Sequence, residues 1–326
     1  MLPLYSKRHL SIDDQILKLK NDGLNIYNPE YAKCCLIKYN YYRLSAYWYV
    51  FRKVDPTTPS KRLSTFDPDH TFEDVMQLYN FDKKLRELVF YAISDIETFL
   101  RTQLAYYLPS IKNDPLALYD DSLFYINRRG LNYSDLLTKI ASEVRRASDE
   151  DFIQHYRSNY SNYPQLPFWV LTEILSFGNL RKIYTHLRPP HKKQINNFFN
   201  IKDIATDSPY SYYQINHIHL DSYLFLINKY RNICAHHGRL WNRKISDILT
   251  LDAASSLSIS GHENGGLFAL LIILARLLEP TGHAKEWKDS VYSLIQTFPL
   301  IIYLAIQHCI QIGIDTIFGT ERFNIK

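Results

Sequence analysis

The run TFEDVMQLYNFDKKLRELVFYAISDIETFLRTQLAYYL, residues 71–108, decides the fold. Its apolar side chains Val75, Leu78, Tyr79, Leu85, Leu88, Val89, Ala92, Ile96, Phe99 and Leu100 recur three or four positions apart. That spacing lines one face of an α-helix. Thr71 followed by Asp74 offers an N-terminal cap. The charged triplet Asp82-Lys83-Lys84 is assigned to the solvent side. The same period returns over long stretches, and glycine is scarce, at 10 of 326 residues. The expected class is therefore all-α rather than a sandwich or a doubly wound sheet.

Upstream, residues 11–52 read as a helical hairpin or small bundle. Ser11 caps a first helix that Asn21-Asp22-Gly23 stops. Asn28-Pro29 opens a second, which runs on through Leu36, Ile37 and YNYYRLSAYWYVF. Residues 54–70 hold three prolines and many small polar residues, and read as a loop or linker. Downstream, residues 109–130 read as loop. Helices are expected at about 132–147, 149–157, 167–187, 191–199 and 211–238, with Pro189-Pro190 ending the third of these. After a loop at 251–266, helices are expected at about 267–279 and 284–312. Three parts follow: an N-terminal helical region (1–60), a helical core (61–250) and C-terminal helices (251–326). There is no internal repeat, glycine-rich phosphate loop or Gly-x-Ser-x-Gly elbow.

A net charge of +5 and a pI of about 8.8 permit a nucleic-acid partner without demanding one. No basic tail is present, so any electrostatic footprint has to be assembled by the fold. The 26 Tyr read mainly as packed rings with surface hydroxyls, with base stacking as the less favoured reading. Cys34, Cys35, Cys234 and Cys309 lack disulfide or zinc spacing and read as reduced thiols of a cytoplasmic protein. The first residues lack the apolar core of a signal peptide. The strongest apolar run, Leu267 to Leu278, spans 12 residues and contains Arg276. A membrane span needs about 20.

The chemistry-bearing stretch is Arg231-Asn232-Ile233-Cys234-Ala235-His236-His237-Gly238-Arg239-Leu240-Trp241-Asn242-Arg243. On a helical wheel Leu220, Leu224, Ile227 and Cys234 share an apolar stripe, while Asn228, Asn232 and His236 form a polar ridge near Asp221. Asn232 is placed to hydrogen-bond His236 and fix its imidazole. Arg231 falls about 140° from His236, near the centre of the apolar stripe. A guanidinium there needs a carboxylate partner, and Glu97 or Glu173 is expected to supply it. Gly238 reads as the helix stop. A plain reading competes at each position: Arg231 as a helix anchor, His236 and His237 as cations at a helix C-terminus. Arg239, Asn242 and Arg243 read equally as phosphate contacts or solvated surface, and Trp241 as a core anchor ahead of a ring that stacks a base. Arg86 and Arg101 read as local partners of Asp82 or Glu97 before lining any groove. His217, His219, His236 and His237 do not complete a metal-ligand set, and no metal or cofactor is expected. Cys234 points away from His236, which argues against a cysteine hydrolase.

Five blocks together resemble the Abi-like (abortive infection, AbiD/AbiF-type) family of bacterial phage-defence proteins. They are SIDDQILKLKNDGLNI, KYNYYRLSAYWYVFR, the run at 71–108, LPFWVLTEILSFGNLRKIY and KYRNICAHHGRLWNR. They cover roughly residues 11–245. The Arg-Asn-x-x-x-His core also resembles the motif of HEPN-type ribonucleases, Arg followed by His after four to six intervening residues. That resemblance implies a HEPN-type bundle at 61–250 and a metal-independent endoribonuclease. Its catalytic residues would be Arg231, Asn232, His236 and His237, with Glu97 and Glu173 in support and Arg239, Asn242 and Arg243 on the RNA. It leaves open which imidazole leads. It implies attack by the RNA 2′-hydroxyl, giving 2′,3′-cyclic phosphate and 5′-hydroxyl ends. It also implies a homodimer, since the chain carries one motif, and restraint by an antitoxin or small RNA. The rival reading is a non-catalytic RNA-binding or phage-sensing module acting through a partner.

Overall fold

The computed structural model describes residues 4, 6, 8–128, 131–200, 220–243 and 266–297. Among them are twelve α-helices and two short antiparallel ribbons, so the fold is all-α as expected. Contacts divide the chain into two compact units. One holds residues up to Leu85 together with those from Ser293, the other Arg86–Tyr292.

The first unit opens with α1 (Ile12–Asn21), whose first turn is capped by the Ser11 hydroxyl accepting from the Asp14 amide. Gly23, at a φ of +98°, turns the chain where a side chain would be strained. Asn28 caps α2 (Pro29–Tyr39). The second helix does not run on through the aromatic stretch. Asn40 adopts a φ of 68°, ends α2, and caps α3 (Tyr41–Trp48) by accepting from the Tyr42 amide. Asparagine tolerates left-handed backbone and supplies its own acceptor, so one residue both breaks and restarts the helix. The proline-rich segment is not simply loop. β1 (Arg52–Val54) pairs with β2 (Arg62–Phe66). The ribbon is tied to its surroundings by the Phe66 amide on the Asp22 carbonyl and the Asp67 amide on the Phe51 carbonyl.

α4 (Phe72–Ser110) is the longest helix described. Thr71 and Asp74 form a reciprocal capping box, each side chain accepting from the other's amide at 3.1 and 2.8 Å. Its apolar stripe is buried from Val75 to Leu100 except at Leu88 and Phe99, which are half-buried. Asp82 departs from expectation. It is fully buried and accepts from the Tyr47 hydroxyl at 2.6 Å, while Lys83 and Lys84 are exposed. A buried carboxylate needs such a donor.

In the second unit, the C-terminal part of α4 holds its neighbours by polar contacts as well as packing. The Trp287 indole donates to the Leu88 carbonyl, and the Tyr107 hydroxyl meets His191 Nδ1 at 2.9 Å. β3 (Asn127–Arg128) and β4 (Leu131–Asn132) form a short ribbon ahead of α5 (Tyr133–Arg146) and α6 (Asp151–Asn159). The helix expected over 167–187 is two helices, α7 (Phe168–Ile174) and α8 (Phe177–His186). At the break, buried Glu143 of α5 accepts from both the amide and the hydroxyl of Ser176, at 3.1 and 2.7 Å. Arg101 takes the freed Leu175 carbonyl at 3.0 Å. The two prolines expected to end a helix instead open α9 (Pro189–Phe198), where a missing amide costs nothing. α10 (Leu220–Ala235) packs on α8 and on α11 (Leu267–Leu277), and α12 (Ala284–Gln296) follows. The expected start of the motif helix at 211–219, most of the loop at 251–266, and the continuation of the last helix with Cys309 lie outside the described residues.

Candidate active site

α10 buries Leu220, Tyr223, Leu224, Leu226, Ile227, Tyr230 and Cys234, and that face fixes its rotation. Its first turn is held by Asp221, which accepts from Lys192 at 2.6 Å and from the Thr185 hydroxyl at 2.5 Å. Near the other end the Tyr230 hydroxyl reaches back to the Arg243 carbonyl at 3.5 Å. Burial pushes that hydroxyl up to about 12, with Arg243 acting against the rise. The phenol therefore stays neutral and serves as a donor.

The helix ends at Ala235, earlier than the expected stop at Gly238. The Gly238 amide bonds the Ile233 carbonyl at 2.8 Å and the His237 amide bonds the Cys234 carbonyl at 3.0 Å. This pair of bonds is a Schellman closure, and its left-handed residue is His237, with a φ of 53°. Glycine is the usual occupant there. Gly238 is instead needed for close approach, since a Cβ on it would meet Ile233 Cγ2 and the Ile233 carbonyl at 3.2 Å. The chain then anchors itself by burying Leu240 and Trp241, and turns at Asn242, whose φ is 50°. Asn242 and Arg243 are exposed and Arg239 is half-buried.

Asn232, His236 and His237 are all exposed. The side chains of Asn232 and His236 are not hydrogen-bonded to each other. Only the backbone joins them, His236 amide to Asn232 carbonyl at 3.1 Å. Asn228 lies over Gly178 of α8, its amide atoms 3.7 Å from where a Cβ would stand.

Arg231 faces away from this ridge, toward α4. Its Nε lies 4.0 Å from Glu97 Oε2, too long for a hydrogen bond, and that nitrogen is buried without a hydrogen-bond partner. Glu97 is held more closely by Arg101, at 3.0 Å. Of the two acids considered for Arg231, Glu97 is the one beside it. Glu173 is exposed on α7 with no ion pair to Arg231. The two guanidiniums and one carboxylate line a cleft of about 200 Å³ with Phe90, Ile93, Ser94 and Thr98. Its formal charge is +1, and one nitrogen on each arginine, Arg101 Nη1 and Arg231 Nε, is buried and unbonded. An anion satisfies both needs. Arg101 thus serves as a local partner and as a wall of the cleft. Ser94 and Thr98 were not anticipated from the sequence. Their trace there was the i−3 and i+1 placement around Glu97 on a helix otherwise rich in large apolar residues.

Among the described residues no three His, Cys, Asp or Glu side chains converge as a metal-binding set, and His217 and His219 lie outside those residues. No described helix is long and apolar enough to cross a membrane. No curated protein and no solved structure matches the chain. The model of the Abi-like protein family does match it, over residues 35–242, and the chain belongs to that family.

Proposed function

We propose that the protein is a metal-independent endoribonuclease of HEPN type, acting in the bacterial cytoplasm. Membership in the Abi-like family ties the chain to abortive-infection phage defence. The observation that carries the enzymatic reading is the placement of Arg231. It lines an anion-sized cleft with an unbonded Nε, just over one turn before two exposed imidazoles on the same motif. In the proposed reaction one histidine takes the proton of an RNA 2′-hydroxyl, which attacks the adjacent phosphorus. The 5′-oxygen leaves with a proton from a second histidine, and a 2′,3′-cyclic phosphate remains. Arg231 neutralises charge gathering on the non-bridging oxygens. His236 is taken as the leading imidazole, since it stands exposed at the end of the ridge that Asn228 and Asn232 begin. A homodimer with two motifs facing across its axis supplies the second imidazole. Restraint by a bound antitoxin or small RNA keeps the enzyme harmless to its host.

End-labelled single-stranded RNA incubated with the protein in EDTA tests this, beside His236→Ala and Arg231→Ala. The expected result is cleavage by the unaltered protein alone, with cyclic-phosphate ends. RNA bound by all three but cut by none would support the binding-module reading instead. Cleavage abolished by EDTA would overturn the metal-free mechanism.

A further inference from the structure

α5, α8 and α10 gather four cations that the sequence scatters: Lys139 on α5, Arg181 and Lys182 on α8, and Lys229 on α10. The Arg181 guanidinium carbon and Lys229 Nζ each stand 5.3 Å from the centroid of the Phe225 ring. α8 packs against both α5 and α10, and Lys139 stands exposed on α5. The neighbouring carboxylates are engaged elsewhere, Glu143 with Ser176 and Asp221 with Lys192 and Thr185. Among the described residues none of the four cations forms an ion pair, and Arg181 Nε is buried without a hydrogen-bond partner. Burial pushes the Lys182 ammonium down from its usual range. The Lys139 and Arg181 charges push it further, and Glu143 opposes them. Burial likewise lowers Arg181, against the pull of Asp221. The like charges of Arg181 and Lys229, gathered around one ring, repel one another until an anion arrives.

We propose that this cluster binds the phosphate backbone of the RNA strand that the α10 motif cleaves, an inference that rests on the nuclease reading. Phe225, Lys229 and Asn232 follow one face of α10 at i, i+4 and i+7, and that face leads to His236 at the helix end. Lys229 lies about 10 Å along the axis from His236, at 1.5 Å per residue. A strand seated on His236 therefore extends over the cluster. The evenly spaced charges of a backbone suit cations contributed by three different helices, and the Phe225 edge and the Asn228 and Asn232 amides offer contacts to sugar and base. The mild overall charge of the protein gives no hint of this local concentration.

The test measures binding of a fluorescent single-stranded RNA by the full chain carrying His236→Ala, which keeps the RNA whole, across a range of salt. Lys182→Gln with Lys229→Gln is compared with Lys20→Gln and Lys53→Gln, exposed lysines of the other unit. Removing two phosphate contacts should lower the slope of log affinity against log salt by about 1.4, at about 0.7 per contact. Affinity should fall about tenfold at moderate salt, and the control pair should match its parent. Should the double variant not fold, each single substitution is expected to lower the slope by about 0.7. An unchanged slope with RNA still bound overturns the cluster's role and leaves the nuclease reading standing. Loss of binding in the variant, without cleavage by the unaltered protein, upholds the cluster and overturns the nuclease. Failure of the parent to bind RNA overturns both. Displacement of RNA by polyglutamate at equal charge would assign the surface to an acidic protein instead.

Discussion

Arg231 and His236 stand five residues apart on the same motif and meet opposite surroundings. Arg231 is turned inward, beside Glu97 and Arg101, with 36% of its side chain exposed. His236 lies beyond the last helical residue, exposed, and tied down only through its backbone. A guanidinium serves best when fixed, because it stabilises charge by pre-set geometry. An imidazole that moves protons needs access to the reacting oxygens. On the proposed nuclease reading, the contrast gives electrostatics to one end of the motif and proton transfer to the other.

The largest expected effect comes from the exposed end. His236→Ala should reduce RNA cleavage by about a hundredfold or more, the usual weight of a general acid or base. Its melting temperature should hold, since an exposed side chain without tertiary bonds contributes within about 0.5 kcal/mol. Arg231→Ala should lose activity by a similar factor, yet its loss should also register in the melt. If both variants destabilise equally, the contrast between the two ends fails.

A second effect falls on the platform rather than the motif. Glu143→Ala removes the buried acceptor of two Ser176 donors, and should cost about 2–3 kcal/mol in denaturant unfolding. A variant as stable as its parent would mean that the break between α7 and α8 is held by packing alone.

His237→Gly is expected to move stability the other way. Glycine relieves the left-handed backbone at a φ of 53°, offset by its freer unfolded chain, for a net gain of about 0.5–1 kcal/mol. Cleavage should survive within a few-fold. A loss beyond tenfold would transfer the leading role from His236 to His237.

The smallest effect concerns acid. Burial, and then Arg188, hold the His191 imidazolium below the usual histidine range, while Asp120 opposes them. The unfolded chain therefore takes up this proton first, near pH 6.5 on ordinary values. Stability from this group is present above that point and falls as pH drops from it toward the lowered folded value. His191→Gln should shrink the difference between melting temperatures at about pH 7.5 and pH 5.5. An unaltered difference would place the acid sensitivity in other groups.

How much was legible differs from element to element. The capping box of α4 and the Asn28-Pro29 start of α2 were readable because each signal sits within four residues of the bond it makes. The Asn40 break was readable in principle, since asparagine marks such turns, yet the aromatic residues around it continued a helical pattern. The α7–α8 break carries no proline or glycine at Leu175-Ser176. It exists because Glu143 and Arg101, distant in the chain, satisfy the backbone groups it frees.

The sequence by itself determined the helical class, the amphipathic faces of α4 and α10, and the residues of the motif. Those are properties of local spacing, and local spacing survives without a partner. The tertiary structure alone decided that Glu97 rather than Glu173 stands beside Arg231, that Asp82 turns inward, and that Arg181 and Lys229 meet at the Phe225 ring. Each of these depends on which helices lie side by side, and that is set by packing among elements far apart in the chain.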